Sequence, residues 1–409
     1  MSQEKIREGA VFAMVVLGFI GVLFLIFKIK GYASIDSSSL SDEEIAVIKG
    51  AVHNTLVWGG LLIGGIMGAV VQRSKYCIAA ACHARVTIGD LFQTRAYAMS
   101  LLVAILGTQI LYKMGQVDIQ YCIYLSTPFT WLSYIVGGFI FGVGIVYSGG
   151  CASRILVRSA EGDLGSLVAV MAFILASGAT LWGILAKIRV GFFNSFTLGL
   201  KSQYLPNLLP SVPWWLILLA LELILLVFML LAPKKSEWWG WKWPLTGVAI
   251  GLTIVLAWWL NGAAHHALPL IDSFSYSGPS DPALLQKWRP KSLTFALADA
   301  QSFRYIILWT GETINFAVAT VFGVLAGSLL AALISGTFNW VAPPLQQFRY
   351  SLVGGLLMGF GAVLALGCNI GQGLSGISTM GLGSIVTMIF IALGAIAGSK
   401  FMLWQVMRD

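Results

Sequence analysis

Five cysteines, Cys77, Cys82, Cys122, Cys151 and Cys368, hold most of the chemical capacity of this 409-residue chain. Their number is odd and no Cys-x-x-Cys pair occurs, which argues against a disulfide framework and for thiols acting as thiols. Two of them share a context. Gly137, Gly138, Gly142, Gly144, Gly150 and Cys151 recur, each displaced by 217 residues, as Gly354, Gly355, Gly359, Gly361, Gly367 and Cys368. Six coincidences at one offset mark these two cysteines as repeat positions. An isolated buried cysteine is more often an apolar filler. After each comes a polar run of small residues, ASRILVRSAEGDLGS and NIGQGLSGISTMGLGS. Cys77 lies in a third such setting, GGIMGAVVQRSKYCIAAACHAR, where an apolar run ends on Arg73, Ser74 and Lys75 and a stretch of small residues follows. Cys77, Cys82 and His83 make only a weak metal reading, since a second pair at zinc spacing is lacking. Cys122 reads as packing, and no cofactor or metal is expected.

These thiols must be positioned by a membrane-embedded framework. Apolar residues make up 58% of the chain and charged ones 10%, against about 25% charged in a soluble domain. The 46 glycines show no collagen period and sit inside apolar runs, as close helix packing in lipid requires. The formal charge of +8 is spread singly over short segments, which fits membrane topology better than phosphate binding, so no nucleic-acid partner is expected. Apolar runs long enough to cross about 30 Å of hydrocarbon fall near 11–27, 52–71, 97–112, 131–148, 164–186, 213–232, 244–261, 314–334, 351–367 and 384–404. The expectation is an all-α polytopic protein of about ten spans, with an extra interfacial or half-membrane helix near 293–313. The first run, flanked by Lys5, Arg7, Lys28 and Lys30, reads as a retained span. Of the 25 basic residues, 14 fall on one side if the N-terminus is cytoplasmic, which favours both termini inside. Tryptophans such as Trp214, Trp215, Trp258 and Trp259 fall at expected span ends and read as headgroup anchors.

In that topology the span before Cys151 and the span before Cys368 run in opposite directions, so the repeat is inverted. Broken segments at corresponding positions of inverted repeats point to a transport site near the midplane. The two cysteines are expected to face each other across a pseudo-two-fold axis. The division is an extra N-terminal helix and outer loop over 1–50, a first half over 51–212 and a second over 213–409. Glu222 is either a functional intramembrane acid or one paired with a bundle-facing Lys or Arg. His265 and His266 read as interfacial residues of a long outer loop.

The segments QRSKYC (72–77), YSGGCASR (147–154) and LGCNIGQGLSG (366–376), together with the glycine repeat, resemble the YeeE/YedE membrane proteins over about 52–404. That resemblance implies an hourglass-like fold in which short re-entrant helices meet at a waist. Three cysteines, here Cys77, Cys151 and Cys368, would pass thiosulfate between their thiols. Gly150, Gly367 and Asn369 join them as expected substrate-binding positions, the glycines by allowing close backbone approach, and Arg154 as a draw for anions or a plain anchor. The implied setting is a bacterial inner membrane, with the lipid bilayer, a small sulfur anion and a cytoplasmic TusA-type sulfur carrier as partners. The chain is then a transporter and not an enzyme. The alternatives are movement of another sulfur or selenium compound, or a membrane thiol oxidoreductase, which needs a cysteine pair able to form a reversible disulfide.

Overall fold

A computed structural model of the chain describes residues 3–33, 41–77, 92–231, 242–272 and 289–408. Long helices dominate. They are α1 (Gln3–Ala33), α2 (Asp42–Ser74), α3 (Phe92–Lys113), α4 (Trp131–Tyr147), α5 (Ala152–Ala160), α6 (Leu164–Leu181), α7 (Trp214–Leu231), α8 (Lys242–Asp272), α9 (Ala296–Ile307), α10 (Phe316–Ser335), α11 (Leu345–Leu364) and α12 (Leu382–Arg408). Among the described residues there are no strands, only three isolated bridges. Each of the ten expected apolar runs coincides with one of these helices. Eight described helices are long and apolar enough to cross a membrane. The other two runs correspond to α7, whose apolar stretch is shorter, and to α11, which carries Arg349.

The outer surface shows what solvent the bundle is built for. Phe24 and Leu17 on α1 are each 67% exposed and Ile224 on α7 is 64% exposed. In water such a belt would be an aggregation surface, whereas against acyl chains it costs nothing. The protein is therefore a polytopic all-α membrane protein.

Because lipid supplies no hydrophobic drive between helices, close approach has to hold the bundle together. α2 packs on α10, α3 on α8, α4 on both α11 and α12, and α6 on α11. Glycine brings the backbones together at these crossings. A Cβ on Gly60 of α2 would stand 2.7 Å from the Phe316 carbonyl oxygen of α10. One on Gly247 of α8 would stand 2.7 Å from the Ala96 carbonyl oxygen of α3. The repeated glycine motif serves two partners at once. Gly137 and Gly144 face α11, and their counterparts Gly354 and Gly361 face α4 in return. Gly138 and Gly142 face α12, while Gly355 and Gly359 face α6.

Two expectations need correction. His265 and His266 belong to the end of α8, which continues to Asp272, rather than to a loop; His265 packs against Tyr121 with ring centroids 5.7 Å apart. Trp258 is not a headgroup anchor. It is fully buried, donates from Nε1 to Ser378 Oγ at 3.1 Å and meets Tyr124 edge-on. A buried indole needs a partner for its N–H, and the polar turn after Cys368 supplies one.

Candidate functional site

Helices α4 and α11 end in the same way. Gly150 N–H reaches back to the Ile145 carbonyl at 3.1 Å and Gly149 N–H to Val146 at 3.2 Å. Gly367 N–H bonds Ala362 at 2.8 Å and Leu366 N–H bonds Val363 at 3.3 Å. Both are Schellman closures, in which one left-handed residue turns the chain off the helix axis and satisfies the last carbonyls. The left-handed residues are Gly149 (φ +72°) and Leu366 (φ +58°), themselves 217 positions apart. Gly150 and Gly367, expected to give close backbone approach, instead supply the next amide of the turn. The nearest atoms to a Cβ there are Arg154 Cγ at 3.2 Å and Gln372 Cγ at 3.1 Å, both from the following few residues. At Gly149 a Cβ meets only Arg158 Nη1 at 3.4 Å. Gly149→Ala is therefore expected to cost only the left-handed penalty, about 1–2 kcal/mol, read as a lower melting temperature of the purified protein.

Each closure delivers a cysteine into the interior. Cys151 and Cys368 are both 1% exposed and Cys77 is 5% exposed. Cys151 caps the nine-residue α5, and its sulfur stands 3.3 Å from Ser153 Oγ. Beyond Cys368 the chain forms a single π-turn over Gly371–Gly376, since three glycines in six residues weaken an α-helix. The turn is braced by Ser375 Oγ on the Leu293 carbonyl at 2.8 Å and by Gln372 Nε2 on Ala365 at 2.6 Å.

Cys77 and Cys151, 74 residues apart, come together. The Cys151 N–H donates to Cys77 Sγ at 3.5 Å, and the two thiols lie within hydrogen-bonding reach. No disulfide joins the described cysteines. The close pair missing from the sequence thus exists in space. Cys368 has other company: its sulfur accepts from the Phe295 N–H at 3.3 Å and the Gly371 N–H at 3.5 Å. Phe295 follows the irregular segment 289–294 and stands at the N-cap of α9, the short helix expected near 293–313. Asn369, 1% exposed, links the two centres. Its Oδ1 accepts from Tyr97 Oη at 3.2 Å, and the Tyr97 ring stacks on Tyr76, the neighbour of Cys77, at 5.9 Å. The Asn369 Nδ2 has no hydrogen-bond partner.

The remaining candidates divide. Arg154 is tied to Glu161 and to the Val71 carbonyl, each at 3.4 Å, so it braces α5 against α2. Cys122 is buried between two short 3-10 turns, as packing requires. Glu222 finds no hydrogen-bond partner for either oxygen, and among the described residues no Lys or Arg pairs with it. Cys82 and His83, with the small-residue stretch after Cys77, lie outside the described residues. Sequence reasoning missed Tyr76 and Tyr97; Tyr76 stands beside Cys77 in QRSKYC, but nothing marks Tyr97 inside its apolar run.

A multi-pass helical bundle whose helices break at buried thiols and converging backbone amides is the build of a membrane transporter. A family model described as sulphur transport matches residues 73–397, and the chain belongs to that YeeE/YedE family of transporters. It is 27% identical over 354 residues to the thiosulfate transporter TsuA of Escherichia coli, covering 83% of this chain and 93% of that protein. It is 26% identical over 353 residues to the TsuA of Spirochaeta thermophila, covering 83% and 97%. A probable transporter YedE of Escherichia coli is 30% identical over 89 residues, 22% of each chain.

Proposed function

We propose that this protein carries thiosulfate inward across a bacterial inner membrane, handing it between the thiols of Cys368, Cys151 and Cys77. The observation that carries this reading is the match over most of both lengths to two transporters of that ion. The site chemistry agrees with it. Thiosulfate is a dianion with a soft terminal sulfur. A neutral thiol offers a weak S–H donor, strong enough to receive the ion and weak enough to release it. Around the thiols, the Phe295, Gly371 and Cys151 amides add N–H donors without placing a full charge in the membrane. The orphan Asn369 Nδ2 supplies one more between the cysteine centres.

The two halves are read as an inverted repeat, 51–212 and 213–409, preceded by an extra helix in 1–50. Let α2 correspond to α8, α3 to α10, α4 to α11 and α6 to α12. The packed pairs then exchange among themselves: α2–α10 becomes α8–α3 and α4–α12 becomes α11–α6, while α4–α11 and α2–α8 map onto themselves. A set of contacts closed under such an exchange is what two-fold-related halves produce. With both termini cytoplasmic, Cys77 and Cys151 serve the inner side of the waist and Cys368 the outer. An anion entering a negative interior works against about 2.3 kcal/mol per charge per 100 mV, so a cytoplasmic TusA-type sulfur carrier that consumes the product would favour inward movement.

The test is growth on thiosulfate as sole sulfur source in cells lacking other uptake routes, with labelled thiosulfate uptake beside it. Restored growth is expected, with sulfate, sulfite and selenite competing poorly. No growth and no uptake, with the protein present in the membrane, would overturn the reading.

A further inference from the structure

Asp299 is the most deeply buried acid among the described residues, 1% exposed, and its Oδ1 has no hydrogen-bond partner. It lies one helical turn into α9 and its N–H bonds the Phe295 carbonyl at 2.9 Å. The N–H of that same Phe295 holds the Cys368 sulfur, and the carboxyl is within electrostatic range of that thiol. No cation answers it among the described residues. α9 packs on α10, α6 and α11. α10 and α6 carry no ionisable side chain, and α11 carries only Arg349 and Tyr350, with Tyr350 set against Tyr147. On its own segment, Arg304 is paired with Glu312, Tyr305 packs on Trp309, and Arg289 and Lys291 precede the turn into α9. Tyr124, hydrogen-bonded to Thr294, lies within electrostatic range of the Cys368 thiol. Burying an unpaired carboxylate is costly, and an ionisable side chain enclosed in a membrane bundle is a functional candidate by default.

We propose that Asp299 is a proton-binding site on the transport path, taking one proton as the anion reaches Cys368 and releasing it once the anion has moved on. The physical content is linkage. An ionised Asp299 repels a dianion at the neighbouring thiol, whereas the protonated acid does not and adds an O–H donor. Occupancy of Cys368 by the anion and occupancy of Asp299 by a proton then favour each other reciprocally. The proton comes from the outer solution and leaves toward the cytoplasmic side with the ion, so one positive charge enters with each dianion and the net charge moved against the membrane potential is halved. No bond other than the carboxyl O–H forms or breaks, and no electrons are transferred. The inference rests on the proposed transport of thiosulfate past Cys368.

The experiment compares the parent protein with Asp299→Asn, which keeps the shape and is neutral at every pH. In the parent, the half-saturating thiosulfate concentration for uptake is expected to rise toward about tenfold per unit of external pH on the alkaline side, the limit for one linked proton. In Asp299→Asn it should change less than about twofold over the same range. An equal pH response in the two proteins overturns the inference while leaving thiosulfate transport standing. Calorimetry of thiosulfate binding to the purified parent, in buffers of different ionisation heat, needs no variant to fold. Uptake of about one proton per ion supports the site, and uptake of none overturns it. A parent that neither takes up nor binds thiosulfate at any pH overturns this inference together with the reading beneath it.

Discussion

Cys151→Ala is expected to lower thiosulfate uptake by one to two orders of magnitude while leaving the amount of folded protein in the membrane nearly unchanged. The size follows from what the thiol does for a charged ligand. A hydrogen bond to a charged group contributes about 1.5–3 kcal/mol net, and each 1.4 kcal/mol is a factor of ten. The thiol sits beside Cys77 and Ser153, where the segments that carry Cys77 and Cys151 meet. In the proposed relay it is the middle member, so removing it would break the chain of weak sites there. Loss of a single buried sulfur leaves a small cavity whose cost is of order 1 kcal/mol, so melting should move little. Cys122→Ala is the matched control, since Cys122 is equally buried but stands among turns that carry none of the other thiols. Uptake is measured with labelled thiosulfate, and the amount of protein by immunoblot of the membranes. Full activity of Cys151→Ala would defeat the relay while leaving the transport function to another path.

Gly361→Val is expected to have the larger effect on the protein itself, removing most folded material. A Cβ at Gly361 would lie 2.5 Å from the Phe141 amide nitrogen and 2.7 Å from the Gly137 carbonyl oxygen. The obstacle is backbone, which no rotamer change can move aside. Across the same crossing, Gly144 faces the Met358 nitrogen at 2.7 Å and the Gly354 oxygen at 2.8 Å, so forcing α4 and α11 apart at one glycine loosens the contacts of the others. Overpacking of well-packed sites costs about 1–3 kcal/mol even where side chains can shift, and more is expected here, against a total stability of about 5–15 kcal/mol. Gly178→Ala is the control, because nothing lies within 4 Å of its added Cβ. Size-exclusion profiles and melting temperatures in detergent distinguish the two. A well-folded Gly361→Val protein would mean that the α4–α11 crossing does not hold the bundle together.

Much of this molecule is visible in its residues taken one dimension at a time. The ten apolar runs, each now a helix, follow from hydrocarbon thickness and rise per residue, quantities that do not depend on what the helix packs against. The repeat around Cys151 and Cys368 is equally plain, because a glycine that lets two backbones touch cannot be exchanged for anything larger. The short helix before Phe316 is legible too, as helical character over 293–313 that Asp299, Arg304 and Glu312 keep from being a full span.

What the chain's order conceals is convergence. That Cys77 meets Cys151, that Phe295 turns its amide to Cys368, and that Tyr97 reaches Asn369 across 272 residues are consequences of which helix faces which. Those choices are made by packing between segments, to which periodicity along any one segment is blind. The same holds for Trp258, whose place near a span end suggested an interface and whose indole is nonetheless enclosed. The left-handed turn at Leu366 is hidden too, for nothing in a leucine announces it and only the Schellman closure of α11 imposes it. Composition and spacing determined by themselves that this is a helical membrane protein with thiols at its repeated breaks. The tertiary structure alone decided which thiols are neighbours, because a distance in space is set by long-range contacts and not by separation along the chain.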